Sequence, residues 1–406
     1  MHRDTVVWKG QLTMMNSPKV ALLIETSRGY GRGVLRGIMR YSRLYGPWQF
    51  YLTPGDFEQI VPRMKDWKGD GIIARVINKK AANLLLKTGL PLVALDLSPE
   101  IAKDFHRKGV RFVELASDSE GATQMAVEHL IGKQYKQFAF VGYYSQIWSE
   151  KREKTFVSQM SQKGYKAHVY RMPLCEGVPL CWEKEEQILA QWLKTLPKPI
   201  GLMACNDQRG REVLDACNLA EIAVPEEISV IGIDNDELLC ELSYRPLTSV
   251  ALNAVQGGYL AAKMLHEMIR GSGSTGNKKI IVPPLHVVER RSTEVFAIDD
   301  PDIAAALQFI HTQPPDHLTI ENVVESTYVS RRVLELRFRK HLGYTILQEI
   351  QKVRIERVKR LLLETDYAIS QIAEIVGFST GSYLIQIFRN KVGMTPSKFR
   401  KITRNG

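Results

Sequence analysis

The stretch Val20-Ala21-Leu22-Leu23-Ile24 is the first of several short apolar runs that alternate with amphipathic segments of helix length. The first such helix is expected over residues 33–45. Alternation of this kind predicts βαβ units and a parallel sheet. It continues over about 275 residues, more than one open sheet usually holds, so we expect two lobes with a cleft. The further strand candidates are residues 49–52, 71–74, 91–95, 138–141, 167–170, 200–204 and 228–233.

The α/β pattern stops near residues 292–301, after a last strand-like segment at residues 279–290. Asp300-Pro301 is typical of a helix start, because an N-cap acceptor is followed by proline at the first helical position. The remaining sequence has a helical pattern throughout. We therefore expect a disordered extension (1–17), an α/β domain (18–295) and an all-α domain (300–404).

Charge indicates one kind of partner. The 406 residues include 55 Lys/Arg and 44 Asp/Glu, a net charge of +11, and residues 300–406 carry 16 Lys/Arg against 11 Asp/Glu. This excess is compatible with an acidic polymer such as DNA, although a solubilising surface charge is the alternative. Five scattered cysteines without CxxC spacing indicate reduced thiols rather than disulfides or a zinc cage. No apolar run approaches the ~18 residues of a membrane span, so a cytoplasmic protein is expected.

Residues 370–391 predict a helix-turn-helix. Ala373 and Gly377 allow a close helix crossing and a turn, and Leu384 and Phe388 supply an apolar face. A similar frame occurs 50 residues earlier, with the cap Ser330 in the place of Thr380. The helix expected between the two frames would be roughly 28 Å long, close to the ~34 Å between successive major-groove turns. The all-α domain is therefore predicted to hold two DNA-reading units.

The predicted recognition helices carry the candidate DNA contacts. We expect Arg331 and Glu335 to read base edges, with Ser382 and Gln386 doing so in the second unit. An ordinary amphipathic helix with a solvated basic face is the alternative. The complete set is Ser330, Arg331, Arg332, Glu335, Arg339, Lys340, Thr380, Gly381, Ser382, Gln386 and Arg389.

The C-terminal motifs resemble the signature of AraC-type transcription regulators. The resemblance is carried by Ile372-Ala373, Gly377-Phe378, Phe388-Arg389, Gly393 and Thr395-Pro396. One departure is Tyr328, which stands where the first unit of these proteins usually has glycine. A tyrosine held at positive φ would cost about 1 kcal/mol, so we expect an adjusted turn there.

The α/β domain resembles the LacI-type and ribose-binding periplasmic fold through Asp118-Ser119, Asn206-Asp207, residues 230–235 and residues 247–250. Together the two halves are similar to the xylose operon regulator family. The resemblance implies a type I periplasmic-binding-protein-like sensor joined to two helix-turn-helix units. It further implies a dimeric activator of pentose catabolic genes whose partners are promoter DNA, a sugar such as D-xylose, and RNA polymerase.

Sugar recognition needs bidentate hydrogen-bonding groups for vicinal hydroxyls and an aromatic face for the C–H side of the ring. Such groups are expected where parallel strands end. For each acidic residue among the candidates the alternative is a loop or helix cap. By this resemblance the candidate ligand-binding residues are Tyr30, Arg32, Asp96, Trp148, Arg152, Asn206, Asp207 and Asp234.

An enzymatic function is the main alternative. Gly29-Tyr30-Gly31-Arg32-Gly33 suggests a dinucleotide-binding loop, but the G-x-G-x-x-G spacing would require glycine at Val34. We interpret the segment as a loop that turns Tyr30 and Arg32 toward the cleft. No metalloprotease, hydrolase or P-loop motif occurs, so catalytic residues, cofactors and metals are not expected. A sugar-metabolising oxidoreductase or isomerase remains the alternative, and turnover assays would distinguish the two.

Overall fold

The computed structural model describes residues 17–52, 67–76, 78–144, 146–172, 174–175, 178–179, 181–272 and 278–405. The predicted N-terminal extension lies, except for Ser17, outside the described residues. The chain forms two compact units. The first comprises Met1–Ser119, Gln146–Trp148 and Leu252–Pro283, and the second comprises Glu120–Ser145, Ser149–Ala251 and Pro284–Gly406.

Each unit contains a six-stranded sheet. All neighbouring strands are parallel in the first sheet, and β7, β6, β10, β11 and β12 are parallel in the second, as the alternating pattern predicts. The strands are β1 Lys19–Leu23, β2 Gln49–Leu52, β3 Gly71–Arg75, β4 Leu92–Leu95, β5 Phe112–Ser117, β6 Phe138–Val141, β7 Ala167–Tyr170, β8 Leu174–Cys175, β9 Val178–Pro179, β10 Ile200–Ala204, β11 Ile228–Asp234, β12 Thr248–Leu252, β13 Lys278–Val282 and β14 Pro284–Val288. The sheet orders are β13-β5-β4-β3-β1-β2 in the first unit and β14-β12-β11-β10-β6-β7 in the second. The short strands β8 and β9 form an antiparallel pair.

Helices connect these strands and then make up the C-terminal region. They are α1 Gly29–Tyr45, α2 Lys79–Leu86, α3 Pro99–Arg107, α4 Ser119–Gly132, α5 Ile147–Gln162, α6 Trp182–Thr195, α7 Asp207–Leu219, α8 Glu237–Leu242, α9 Ala254–Ile269, α10 Pro301–Thr312, α11 Ile320–Glu325, α12 Arg331–Leu342, α13 Ile346–Glu364, α14 Ile369–Val376, α15 Gly381–Val392 and α16 Pro396–Asn405. No helix in the described ranges is long and apolar enough to cross a membrane. The predicted fold class, two α/β lobes followed by an all-α region, is confirmed.

The strand-like segment at residues 279–290 is two strands rather than one. β13 pairs with β5 in the sheet of the first unit, whereas β14 belongs to the sheet of the second unit. Pro283 separates them, and it cannot donate the backbone hydrogen bond that a continuous strand would need. The segment at residues 279–290 was expected to return to one sheet. Its two strands instead join the sheets of the first and the second unit.

The segment Gly29–Gly33 is helical, so its interpretation as a loop was wrong. It forms the first turns of α1, which packs against α9. A Cβ on Gly31 would lie 2.2 Å from the carbonyl oxygen of Glu25, and one on Gly37 would lie 2.0 Å from that of Val255. These glycines therefore serve close packing of backbone against backbone.

The C-terminal helices have two apolar cores that share one helix. Ile346, Ile350 and Val353 of α13 belong to the core that contains α10, α11 and α12. Further along α13, Ile355, Val358 and Leu362 belong to the core that contains α14 and α15. Asp300 caps α10 by accepting from the backbone N–H groups of Asp302 and Ile303, and Pro301 is the first helical residue, as predicted. The 19-residue helix α13 therefore sets the distance between two helix pairs, the first being α11 and α12 and the second α14 and α15.

Candidate effector-binding and DNA-binding sites

In the first unit three charged side chains meet at the carboxyl ends of strands. Glu25 follows β1, Arg75 ends β3 and Asp96 follows β4. The guanidinium of Arg75 donates to both carboxylate oxygens of Glu25, at 2.8 and 2.9 Å, and pairs with Asp96. Burial lowers the pKa of Arg75, but the two carboxylates outweigh that effect and raise it, so the arginine stays charged.

The predicted ligand residues of the first unit lie around this cluster. Asp96 has a positive φ of 49°, and the ring of Tyr30 lies with its centroid 5.6 Å from Cζ of Arg75. Arg32 donates to the carbonyl oxygen of Thr26 at 3.1 Å. Asp96 and Tyr30 are thus brought together by Arg75, which the sequence-based prediction did not include.

In the second unit the corresponding cluster contains two carboxylates close to each other. Asp234 ends β11 and Asp207 is the first residue of α7. Burial, followed by the charge of Asp234, raises the pKa of Asp207 well above its usual range. Arg152, almost fully buried on α5, lies 3.6 Å from the Asp234 carboxylate and donates to the carbonyl oxygen of Cys205 at 2.5 Å. An acceptor and a forked donor therefore lie side by side.

The loop that carries Asp234 is held by side chains of the same unit. Asp234 and Asn235 have positive φ values of 112° and 50°, which non-glycine residues rarely adopt. Asp207 accepts from the backbone N–H of Asp236 at 2.6 Å and from the Ser249 hydroxyl at 2.5 Å. The same Ser249 oxygen accepts from the N–H of Asn235 at 3.0 Å. Asp207 is therefore a support of the loop that presents Asp234.

The remaining two candidates, Asn206 in the second unit and Trp148 in the first, take different places. The side chain of Asn206 accepts from the backbone N–H of Arg209 at 2.9 Å and thereby caps α7. Trp148 is half-buried and lies one helical turn before Arg152 on α5. Their assignment to the ligand, like that of the other candidates, stays a prediction.

The residues missed by sequence reasoning have a shared signal. Glu25 and Arg75 directly follow the predicted strands 20–24 and 71–74, so the strand-end rule that selected Asp96 and Asp234 applies to them equally. Ser249 lies within a strand and gives no such signal. The described residues contain no group of three or more His, Cys, Asp or Glu side chains that could hold a metal ion.

The second candidate site is the exposed face of the two recognition helices, α12 and α15. Leu334 and Phe338 of α12 are fully buried, as are Leu384 and Phe388 of α15. The opposite faces present the predicted DNA contacts: all are exposed except Glu335 and Gly381, which are partly exposed. Thr380 also caps α15 by accepting from the N–H of Tyr383 at 3.1 Å.

Ion pairs on α12 separate two kinds of arginine. Arg331 lies 3.3 Å from Glu335 and 3.2 Å from Glu321, on the exposed side of the helix. Arg337 instead pairs with Asp302 at 2.9 Å, near the start of α10. The exposed ion pairs of Arg331 could be replaced by a contact to DNA, whereas Arg337 holds α12 against α10.

The turn before α12 is adjusted, as expected from Tyr328. The described non-glycine residues with positive φ are Asp96, Gln134, Glu221, Asp234 and Asn235, so Tyr328 avoids that conformation. Its side chain is fully exposed. In the second helix-turn-helix, Gly377 follows α14 with a φ of 79°, a conformation that glycine adopts without steric cost.

Comparisons with known proteins agree with this architecture. Residues 19–117 match the XylR N-terminal domain, residues 127–293 a periplasmic binding protein-like domain, and residues 323–402 a helix-turn-helix domain. A two-lobed sensor of this type joined to AraC-type DNA-reading helices defines a ligand-responsive transcription regulator. The protein is therefore a regulator of transcription rather than an enzyme.

Full-length relatives define the family more closely. The chain is 34% identical to the xylose operon regulatory protein of Haemophilus influenzae, over 94% of this chain and 98% of that protein. It is 32% identical to the protein of the same name from Escherichia coli K12, over 95% and 97%. A solved structure of the xylose-binding transcription activator xylR matches with a TM-score of 0.60 and 30% identity, over 95% of this chain and 98% of that one. The chain belongs to the xylose operon regulatory protein family.

Proposed function

We propose that this protein is a cytoplasmic, homodimeric activator of pentose catabolic genes that binds D-xylose with its strand-end side chains. The observation that carries the proposal is the Arg152–Asp234 pair in a chain related over nearly its whole length to proteins named xylose operon regulators. As an activator it would bring RNA polymerase to the promoter. The DNA would be held by α12 and α15.

The second-unit cluster favours a neutral ligand with hydroxyl groups. The Asp234 side chain is 18% exposed and offers acceptor oxygens, while Arg152 offers N–H donors beside it. Hydroxyl groups both donate and accept, so vicinal hydroxyls can hydrogen-bond with the carboxylate and the guanidinium at the same time. Burial and then the neighbouring Asp234 carboxylate already raise the pKa of Asp207, so an anionic ligand would add a further unfavourable charge.

Calorimetry with the full-length protein tests the sugar. We expect D-xylose to bind more tightly than L-arabinose, D-ribose or D-glucose, with one site per chain. A transcription assay with purified RNA polymerase then tests activation, and we expect D-xylose to raise transcript yield. Absence of binding by every pentose, or repression by D-xylose, would overturn the respective part of the proposal.

The DNA-binding assignment separates base readers from phosphate contacts. Arg331 is proposed to contact a guanine, so Arg331→Ala should cost about 1–3 kcal/mol and relax specificity at one base pair. Arg339→Ala is the matched comparison, because a phosphate contact should weaken all sequences alike and lower the salt slope by about 1. Mobility-shift titrations on the operator and its point variants measure both effects. If Arg331→Ala behaves like Arg339→Ala, Arg331 is a phosphate contact.

A further inference from the structure

Arg290 connects the loop of Asp234 with the segment that leads to the DNA-binding helices. It follows β14, and its side chain is only 10% exposed. Nη1 donates to Oδ1 of Asn235 and to the carbonyl oxygen of Leu247, both at 3.0 Å. Nε donates to Glu241 at 2.6 Å. One guanidinium therefore joins three elements of the second unit.

Asn235 is a residue whose conformation depends on outside support. Its φ of 50° is unfavourable for a residue with a Cβ, and it directly follows Asp234, the proposed acceptor for the sugar. The Ser249 hydroxyl holds its backbone N–H and Arg290 holds its side chain. A displacement of Asp234 by a bound hydroxyl would therefore also act on Arg290.

The backbone after Arg290 is bonded to the sheet. Oγ1 of Thr248 accepts from the N–H of Arg290 at 2.8 Å and donates to its carbonyl oxygen at 3.0 Å. Thr248 then has no second proton, so Thr293 donates to it at 2.9 Å. Thr293 in turn accepts from Nε2 of His129 at 2.8 Å, a neutral ring because burial lowers its pKa to about 4. The direction of this series of hydrogen bonds is therefore fixed: His129 donates to Thr293, Thr293 to Thr248, and Thr248 to the carbonyl oxygen of Arg290.

The same segment ends in the core of the DNA-binding region. Phe296 packs with Leu307 and Phe338 in the core of the first helix pair. Nζ of Lys133, at the end of α4, lies 4.2 Å from the centroid of the Phe296 ring, and the carbonyl oxygen of Lys133 accepts from the N–H of Ala297 at 2.9 Å. Residues 290–297 are therefore bonded at one end to the loop that carries Asp234 and Asn235. At the other end they pack in the apolar core that contains α12.

We propose that Arg290 is a positioning residue that couples sugar binding at Asp234 to the placement of the DNA-binding helices. The inference rests on the proposed function and names the regulation of that site. Sugar can change DNA affinity only by binding two conformations with different affinity. The guanidinium of Arg290 hydrogen-bonds to Asn235 in the Asp234 loop, and its backbone is the first residue of segment 290–297. A change in the conformation of the loop therefore affects the conformation of this segment.

The test compares Arg290→Met with Arg291→Met in the full-length protein. Arg291 is adjacent, carries the same charge and is exposed, so its replacement controls for the loss of one positive charge. In each variant, mobility-shift titrations give operator affinity with and without saturating D-xylose, and calorimetry gives sugar affinity. We expect a sugar enhancement of at least about fivefold in the unmodified protein and in Arg291→Met.

In Arg290→Met the enhancement at saturating D-xylose should fall to near one, with sugar-free operator affinity within about threefold of the unmodified value. Calorimetry sets the sugar concentration that saturates each variant. Asn235→Gly is a second variant that removes the acceptor of Arg290 while relieving the positive-φ cost, and it should give the same loss. Retention of the full enhancement by both variants would overturn the role of Arg290. Absence of any enhancement in the unmodified protein would instead overturn the proposed function and this inference with it.

Discussion

The first unit neutralises its strand-end carboxylates with an arginine, whereas the second unit sets two carboxylates beside each other. Glu25 and Asp96 share the buried guanidinium of Arg75. Burial, followed by the charge of Asp234, raises the pKa of Asp207, and Arg152 lies 3.6 Å from Asp234. Hydrogen-bonding capacity is thus largely used within the protein in the first unit. In the second unit Asp207 and Arg152 also bond protein groups, and the loop beside them carries Asp234, which we propose contacts the sugar.

The largest effect is expected from Arg75→Met, which tests whether the first cluster is structural. The change leaves the carboxylates of Glu25 and Asp96 buried without their cation. Removing one partner of a buried ion pair costs about 3–5 kcal/mol. Hydrogen exchange of peptides from β1 and β3 should report that loss as faster exchange.

Arg107→Met is the control for this change. Arg107 is exposed and pairs with Asp104 on α3, so its removal should leave exchange of the same peptides unchanged. Unaltered protection of β1 and β3 in Arg75→Met would mean that the first cluster contributes nothing to stability, and the contrast between the units would fail.

A smaller effect, on binding rather than folding, is expected from Asp234→Ala. Loss of charge-assisted hydrogen bonds to a sugar hydroxyl pair should remove about 3 kcal/mol, over a hundredfold in affinity for D-xylose. Calorimetry measures it. Glu237→Ala is the matched control, because Glu237 is an exposed acid three residues along the chain. Equal sugar affinity in the two variants would remove Asp234 from the site.

The smallest effect is a change in pH dependence. The pKa of Asp207 is raised in the folded protein, so the folded state holds this proton more tightly than the unfolded chain does. The stabilisation from this proton is present at low pH and is lost as pH rises through the folded-state pKa. Asp207→Asn should therefore flatten the decline of Tm as pH rises from about 4, the ordinary pKa of an aspartate, toward neutrality. Glu237→Gln, at an exposed acid, is the control and should keep the pH dependence of the unmodified protein. If Tm of Asp207→Asn changes with pH as steeply as in those two proteins, the raised pKa of Asp207 is contradicted.

Local patterns predicted the fold where burial is continuous. β2, β6, β7 and β10 have the predicted bounds because each is an uninterrupted or nearly uninterrupted apolar run. β5 was missed because Glu114 interrupts its apolar residues and pairs with Lys279 on the neighbouring strand β13. That pairing joins residues far apart in the sequence, so no local pattern reveals it.

The candidate site was predicted only in part for the same reason. Asp96, Asp207 and Asp234 were selected because acids at strand ends are visible in the sequence. Which of them contacts an arginine, a hydroxyl or another acid depends on the sheet order, which brings β3 beside β4 and β11 beside β12. The roles of Arg75 and Ser249 therefore required the structure.

The central claim is that a sugar held in the sensor changes the affinity of the same chain for DNA. Its most direct test is one ratio: the operator affinity of the full-length protein with saturating D-xylose divided by the affinity without sugar, from mobility-shift titrations at fixed salt. The account predicts a ratio between about 5 and 150, the range of typical coupling free energies. A ratio near one, with D-xylose bound and the operator still recognised, would contradict it.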